Sequence, residues 1–241
     1  MQKLDLLREL LDGPSAPTSL DETIFVLRDY LSLKHVAYLA THMPPLTRTQ
    51  IYRQVTYTDE WVSRYLERSY VDIDPVLPAA FNSIIPVDWG DLNYSSSKIV
   101  DFFRDADHHD VGRQGLTIPI RGALGERAFF SVTLDASESE WSRYKNDNIA
   151  ALQIIAFYYH KKVLQNFNLQ SQISKLTPRQ TQVLTWLARG KSMKDVATIM
   201  DLSVHTVHAY VETVRAKLGA LNITHAVAKA LQQNLIFPPD G

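Results

Sequence analysis

Six residues between positions 57 and 89 have the types and spacing to hold a small polar headgroup: Tyr57, Trp61, Tyr65, Tyr70, Asp74 and Trp89. Tyr57, Trp61 and Tyr65 recur every fourth residue, so from a helix start they point the same way. Their indole N–H and phenol O–H tips need partners when buried. Asp74, fixed out of helical geometry by Pro75, needs a donor in an apolar setting. Such a set lines a mostly apolar pocket with a few converging hydrogen-bonding groups, or it packs as ordinary core. The residues alone leave both readings open.

Other constellations carry less. Asp101, Asp105, Asp107, His108, His109 and Asp110 have metal-ligand side chains, but they sit on a helix end and the loop before Gly112. Only some can share a face, so they read as a solvated polar turn and no metal is expected. Ser131 has no Gly-x-Ser-x-Gly elbow around it, so no catalytic residues are assigned. A phosphate-binding glycine loop is missing. The strand Val36–Ala40 ends in Thr41-His42 rather than in the acidic pocket of a phosphoacceptor domain.

The elements that must position these residues follow from punctuation and periodicity. Met1–Leu11 is an amphipathic helix, broken by Gly13-Pro14-Ser15-Ala16-Pro17. Thr18–Leu31 resumes helical spacing. Strands are expected at Val36–Ala40, Ile51–Thr56, Gly115–Ile120 and Ala128–Leu134, the last two joined through Gly122 and Gly125. Helices are expected at Asp59–Tyr70, Ile99–Ala106 and Asn146–Leu164, with a polar connector over Gln165–Lys175. The 241 residues suffice for two cores: residues 1–165, a linker 166–175, and 176–241. The chain has no cysteine, hence no disulfide or thiolate site. No stretch approaches the roughly 18–20 apolar residues that span a bilayer, so no membrane partner and a cytoplasmic location are expected. The net charge of −1 conceals an asymmetry. From Lys175 onward eight Lys/Arg meet four Asp/Glu, whereas the rest holds 17 and 22. A mildly basic end on an acidic body suits an anionic partner such as DNA.

Four helices can be placed at that end. Thr177-Pro178-Arg179-Gln180 is a capping signature, and its helix stops at Gly190. Ser192 with Asp195 starts a short helix to Met200. Ser203 caps a third, which buries Val207, Val211, Val214 and Leu218 and presents His208, Glu212 and Arg215 on the other face. A fourth covers Thr224–Leu235. A short helix, a tight turn and a longer helix with a polar outer face form a helix-turn-helix, although a small packing bundle has the same spacing.

The wording narrows this. Leu176-Thr177-Pro178-Arg179-Gln180, Val183-Leu184, Gly190-Lys191-Ser192, Asp195-Val196-Ala197, Ser203, Thr206-Val207, Lys217-Leu218 and Ala226-Val227 closely resemble the LuxR-type helix-turn-helix domain. The resemblance places Thr206, His208, Ala209 and Glu212 toward the DNA groove. Arg179, Lys191, Lys194, Arg215 and Lys217 fall where phosphate contacts are made, which supply affinity without sequence information. Gln180 replaces the usual glutamate, Glu212 stands where relatives often carry a basic or small residue, and Ile223 replaces a common arginine. Glu212 either accepts from a cytosine amino group or pairs with Arg215.

Upstream, Tyr57, Trp61, Tyr65, Asp74-Pro75, Pro86 with Trp89, Gly115-Leu116-Thr117 with Pro119, and Ser131 resemble the autoinducer-binding domain of LuxR-type quorum-sensing receptors. The resemblance implies an N-acyl-homoserine lactone as ligand, double-stranded DNA as second partner, a homodimer, no enzymatic activity and no cofactor. Trp61 would donate to the lactone carbonyl and Asp74 would accept from the amide. Tyr57 and Ser131 would bond the acyl carbonyl, and Trp89 would pack on the lactone ring. Phe102, Thr117, Phe129, Tyr38 and Ala40 are weaker candidates for the acyl-chain end. The expected fold is α+β: an N-terminal α/β/α sandwich around a mainly antiparallel sheet, plus a C-terminal four-helix helix-turn-helix domain. Asn146–Leu164 is the expected dimerisation helix. Competing readings are a different, host-derived small molecule, a protein-interaction module that has lost DNA binding, and a remote esterase or lactonase.

Overall fold

The computed structural model describes residues 9, 11, 13, 16–42, 51–94, 96–122, 125–167 and 176–237. Most of the amphipathic start and of the polar connector lie outside them. The chain divides into two compact units, the first containing Met1–Arg121 and Glu126–Asn168, the second containing Leu169–Gly241.

The first unit is a sheet of five antiparallel strands in the order β2-β1-β5-β4-β3. They are β1 (His35–His42), β2 (Tyr52–Val55), β3 (Val87–Asp88), β4 (Gln114–Arg121) and β5 (Arg127–Leu134). Helix α1 (Leu20–Tyr30), capped by the Ser19 hydroxyl accepting from the Glu22 N–H, packs on β1 and β2. On the same face lies α5 (Glu138–Asn166), against β4 and β5. The opposite face carries α2 (Asp59–Glu67), α3 (Val76–Phe81) and α4 (Ser97–His108). The result is the α/β/α sandwich that the periodicities imply.

Strand alternation divides the labour of the sheet. Tyr38 and Phe130 point at α5, their rings 5.2 and 5.8 Å from Tyr159, and Tyr38 Oη is 2.6 Å from His160 Nδ1. Leu152, Ile155, Ala156, Tyr159 and Val163 of α5 are fully buried there. Each large apolar side chain among them contributes about 1.5–3 kcal/mol by leaving water. The other face of the sheet is left for the second helical layer and for the space beneath it.

Three stretches differ from the periodicity reading. The helix at Asp59 stops at Glu67 instead of Tyr70, because Ser69 adopts a left-handed φ of 50°; Tyr70–Asp72 then forms a 3-10 turn. Val76–Phe81 and Val87–Asp88, with the 3-10 turn Trp89–Asp91, are elements where none is expected. They are too short for a period to register. Helix α5 begins eight residues before Asn146, through a capping box in which Ser137 and Glu140 bond each other's backbone N–H.

The second unit contains α6 (Pro178–Ala188), α7 (Met193–Met200), α8 (Val204–Leu218) and α9 (Ile223–Gln232). Both expected capping boxes form, Thr177 with Gln180 and Ser192 with Asp195. Ser203 caps α8, and Gly219 ends it at a φ of 55°, a left-handed geometry that suits glycine. Asn222 caps α9 by accepting from the His225 N–H. Val183, Val196, Val207 and Val211 fill one small core, while Leu184, Val214, Leu218, Ala226 and Ala230 fill another. No helix among the described residues is long and apolar enough to cross a membrane.

Candidate functional site

Register places two rows of side chains across the open face of the sheet. Val55, Ala37, Ser131 and Thr117 are consecutive partners in one row; Arg53, Leu39 and Phe129 form the next. Over these rows, beneath α2 and α4, lies a cavity of about 250 Å³. Its wall is completed by Val62, Leu66, Val71, Val76, Leu77, Phe102, Phe103, Ala106 and Val111. The surface is mostly hydrocarbon, so it receives an apolar body, and the few polar groups in it decide orientation.

Those groups gather near Asp74. Its Oδ2 accepts from Tyr65 Oη at 2.8 Å and its Oδ1 from the Val76 N–H at 2.8 Å. A carboxylate accepts about four hydrogen bonds, so Asp74 retains capacity on a side that lines the cavity. Burial pushes its carboxyl up to about 6, against the downward pull of the bonds from Val76 and Tyr65. Burial first, and the Asp74 charge second, hold the phenols of Tyr57 and Tyr65 well above the usual tyrosine range. Both are therefore neutral donors at any physiological pH. Trp61 is buried, packed on Tyr70, Phe102 and His109 with centroids 5.8, 6.1 and 5.5 Å apart. Tyr57 precedes the helix, just before its Thr58 cap, and its ring lies 5.0 Å from that of His35.

A second hydrogen-bonded chain fixes the other polar wall. Trp89 Nε1 donates to Thr117 Oγ1 at 2.9 Å, and Thr117 Oγ1 lies 2.8 Å from Ser131 Oγ. The indole crosses β4 directly over Gly115, where any Cβ would collide with the ring. Glycine at 115 is therefore what lets Trp89 lie flat against the strand.

Seven of the eight residues expected to meet a ligand line this single cavity: Tyr57, Trp61, Tyr65, Asp74, Trp89, Phe102 and Ser131. Thr117 does not; fully buried behind the wall, it holds Trp89 and Ser131 in place. Of the weaker candidates Phe129 lines the cavity, but Tyr38 and Ala40 belong to the opposite face of β1. Ala37 and Leu39 line it instead, a shift of one residue that reverses the face. Arg53 and Val55 also line it, the two residues that the alternation within Ile51–Thr56 puts on one face. The acidic cluster after position 100 has structural duties. Arg64 and Tyr70 both donate to Asp105, and the Arg64 guanidinium holds its carboxyl down at about 2. Lys34 pairs with Asp110 and Asp135.

In the second unit the outer face of α8 exposes His208, Ala209 and Glu212, with Thr206 half-buried at its start and His205, not anticipated, beside them. Arg215 Nη1 donates to both carboxylate oxygens of Glu212, at 2.8 and 3.0 Å, and Nη2 donates to the Leu221 carbonyl. Lys217 Nζ donates to Gln180 Oε1 at 2.9 Å, which also accepts from the Thr177 N–H. Arg179 on α6, Lys191 in the turn that follows it and Lys194 on α7 stand at exposed positions. Arg179 Nη1 donates to Gln182 Oε1, so Arg179, Arg215 and Lys217 are engaged within the unit while Lys191 and Lys194 are exposed.

Comparison with known proteins gives the same division. Residues 18–163 match the family model of the autoinducer binding domain, and residues 174–230 match that of the bacterial regulatory proteins, luxR family. The chain is 34% identical over 166 residues to the transcriptional activator protein RaiR of Rhizobium etli, covering 68% of this chain and 69% of RaiR. It is 30% identical over 244 residues to the putative HTH-type transcriptional regulator y4qH of Sinorhizobium fredii, covering 97% of this chain and 73% of y4qH. Among solved structures, Escherichia coli SdiA shares the fold, with a TM-score of 0.70 at 20% identity over 98% of this chain and 99% of that one. SdiA in complex with octanoyl-rac-glycerol matches equally, at a TM-score of 0.70.

Proposed function

The chain belongs to the LuxR family of bacterial regulatory proteins, with an autoinducer-binding domain ahead of its helix-turn-helix, and from that membership we propose that its ligand is an N-acyl-homoserine lactone and its role quorum sensing. Ligand-responsive regulation of transcription, with a small molecule in the first unit and DNA at the second, comes with the family. The observation that supports the lactone is the Asp74 carboxylate, anchored by Tyr65 and Val76 and with acceptor capacity facing an apolar cavity. A lactone amide supplies a further donor to this carboxylate. Its two carbonyls are acceptors for the indole N–H of Trp61 and the hydroxyls of Tyr57 and Ser131. Trp89 flanks the ring, Phe102 flanks the chain, and Thr117 acts from behind by holding Trp89 and Ser131.

For the output, Thr206, His208, Ala209 and Glu212 face the groove. Lys191 and Lys194 reach phosphates, joined by Arg179, Arg215 and Lys217 once DNA competes for their present partners. The active species is a homodimer, paired through α5, whose Phe157 is half exposed, so that two helix-turn-helix units meet half-sites about one helical turn apart. No cofactor takes part. The deciding experiment is organic extraction of the full chain purified from lactone-supplemented cells, followed by mass spectrometry. A lactone bound at about one per chain sustains the reading. An acylglycerol or other lipid in its place, with no lactone, refutes it.

A further inference from the structure

The end of a recognition helix that reaches base edges is its N-terminal one, and in α8 the permanent charge there has the wrong sign for DNA. From Val204 to Thr213 the one fixed charge is the carboxylate of Glu212. The other groups in that stretch whose charge changes near neutrality are the imidazoles of His205 and His208. Both are exposed, and a spacing of three puts them on the same side of the helix. Neither forms a hydrogen bond or ion pair with another described residue.

Helices α6, α7 and α9 pack against α8, and their charged groups leave both rings unpartnered. On α7, Asp195 closes a capping box with Ser192, Lys194 is exposed, and Asp201 ends the helix. On α6, Arg179 donates to Gln182 and Arg189 lies over the Trp186 ring. On α9, His225 Nδ1 accepts from the Leu221 N–H, and Lys229 donates to the Leu218 and Gly219 carbonyls. Farther along α8, Arg215 is held by Glu212 and Lys217 by Gln180. The reading end of α8 is therefore anionic with its imidazoles neutral and cationic only when both are protonated.

We infer that His205 and His208 are DNA-contacting residues that bind as imidazolium, so that this protein takes up protons as it engages DNA. The inference rests on α8 being the helix that meets DNA. Nearby phosphates favour the charged ring. An imidazolium donates from both nitrogens to phosphate or base-edge acceptors, whereas a neutral ring donates from one. Because the complex then holds more protons than the free protein, it tightens as pH falls.

The test is a fluorescence titration of a labelled random-sequence duplex with the full chain, purified with lactone, at fixed salt from pH 8 to pH 6. Wild-type affinity should rise about tenfold over that span, and the plot of log K against log salt should be steeper at pH 6 by about one to two units. Calorimetry of the same binding in two buffers of different ionisation enthalpy should register proton uptake. His205→Gln and His208→Gln, both at exposed positions, should each remove about half of the pH dependence, and the double variant nearly all of it. Wild-type binding that is indifferent to pH, or a double variant with undiminished pH dependence, overturns the role of the two histidines. No binding at any pH, even at low salt, overturns the assignment of α8 to DNA itself.

Discussion

Gly115 lies beneath the indole of Trp89 with no space between them for a methyl group. The ring is held there by its bond to Thr117, so the pair cannot separate without breaking that bond. Gly115→Ala should cost about 1–3 kcal/mol, the usual range for overpacking a core. Thermal unfolding of the full chain measures it, and a variant as stable as wild type would show that the ring yields freely.

Thr117 should matter to ligand response without touching ligand. Thr117→Val keeps the shape and removes the oxygen shared by Trp89 Nε1 and Ser131 Oγ. Leaving buried polar groups unpaired costs about 1–3 kcal/mol. The dose response should move to higher lactone concentration, while Ser131→Ala on the Thr117→Val background should add less than it does alone. Strict additivity would mean that the two hydroxyls act independently.

Asp74 links the cavity to pH. Its carboxyl rises from an ordinary 3.8 to about 6 on burial in the folded chain. Between those values the folded state holds more protons than the unfolded one, so stability contributed by this group declines as pH rises from about 4 to about 6. Asp74→Asn removes that slope. It should make the ligand-free chain more stable at neutral pH, by about 1–3 kcal/mol, while weakening lactone binding by about tenfold or more. Denaturant titrations of both proteins across this pH range test the first half, and ligand titrations the second. A less stable variant at neutral pH contradicts the argument.

On the DNA side, Glu212 restrains Arg215 through both carboxylate oxygens. Glu212→Ala should release a cation to the phosphate backbone and remove a repelling charge. Non-specific DNA binding should strengthen, and the plot of log K against log salt should steepen by about one unit. A fluorescence titration at several salt concentrations reads this directly; an unchanged slope would mean that Arg215 stays with the Leu221 carbonyl.

How much of this was legible depended on the length scale of the signal. The second unit announces itself, because each helix carries its own cap residue and a stripe at helical spacing. The headgroup residues were legible one by one, since Trp, Tyr and Asp in an apolar neighbourhood bring polar atoms that need partners. What escaped was parity and brevity. Nothing in the sequence of β1 alone says whether Ala37 or Tyr38 faces the cavity; pairing with Ser131 decides it. Val76–Phe81 spans under two turns, too few for a period. The first turns of α5 are polar, and only the Ser137–Glu140 spacing marked its start. Glu212 with Arg215 was resolved by distance, in favour of pairing in the free protein.

The alternation of β1, β2 and β5 has a consequence for how this receptor can change over generations. Positions 37, 39, 53, 55 and 129 touch the cavity, while their neighbours Tyr38, Tyr52 and Phe130 hold Tyr159 and Phe167 of the helical layer behind the sheet. Mutations that retune chemical preference and mutations that loosen the scaffold therefore fall on interleaved but separate residues. A lineage can explore new signals by drifting at every second codon of these strands, without first acquiring compensating changes in the helix that they support.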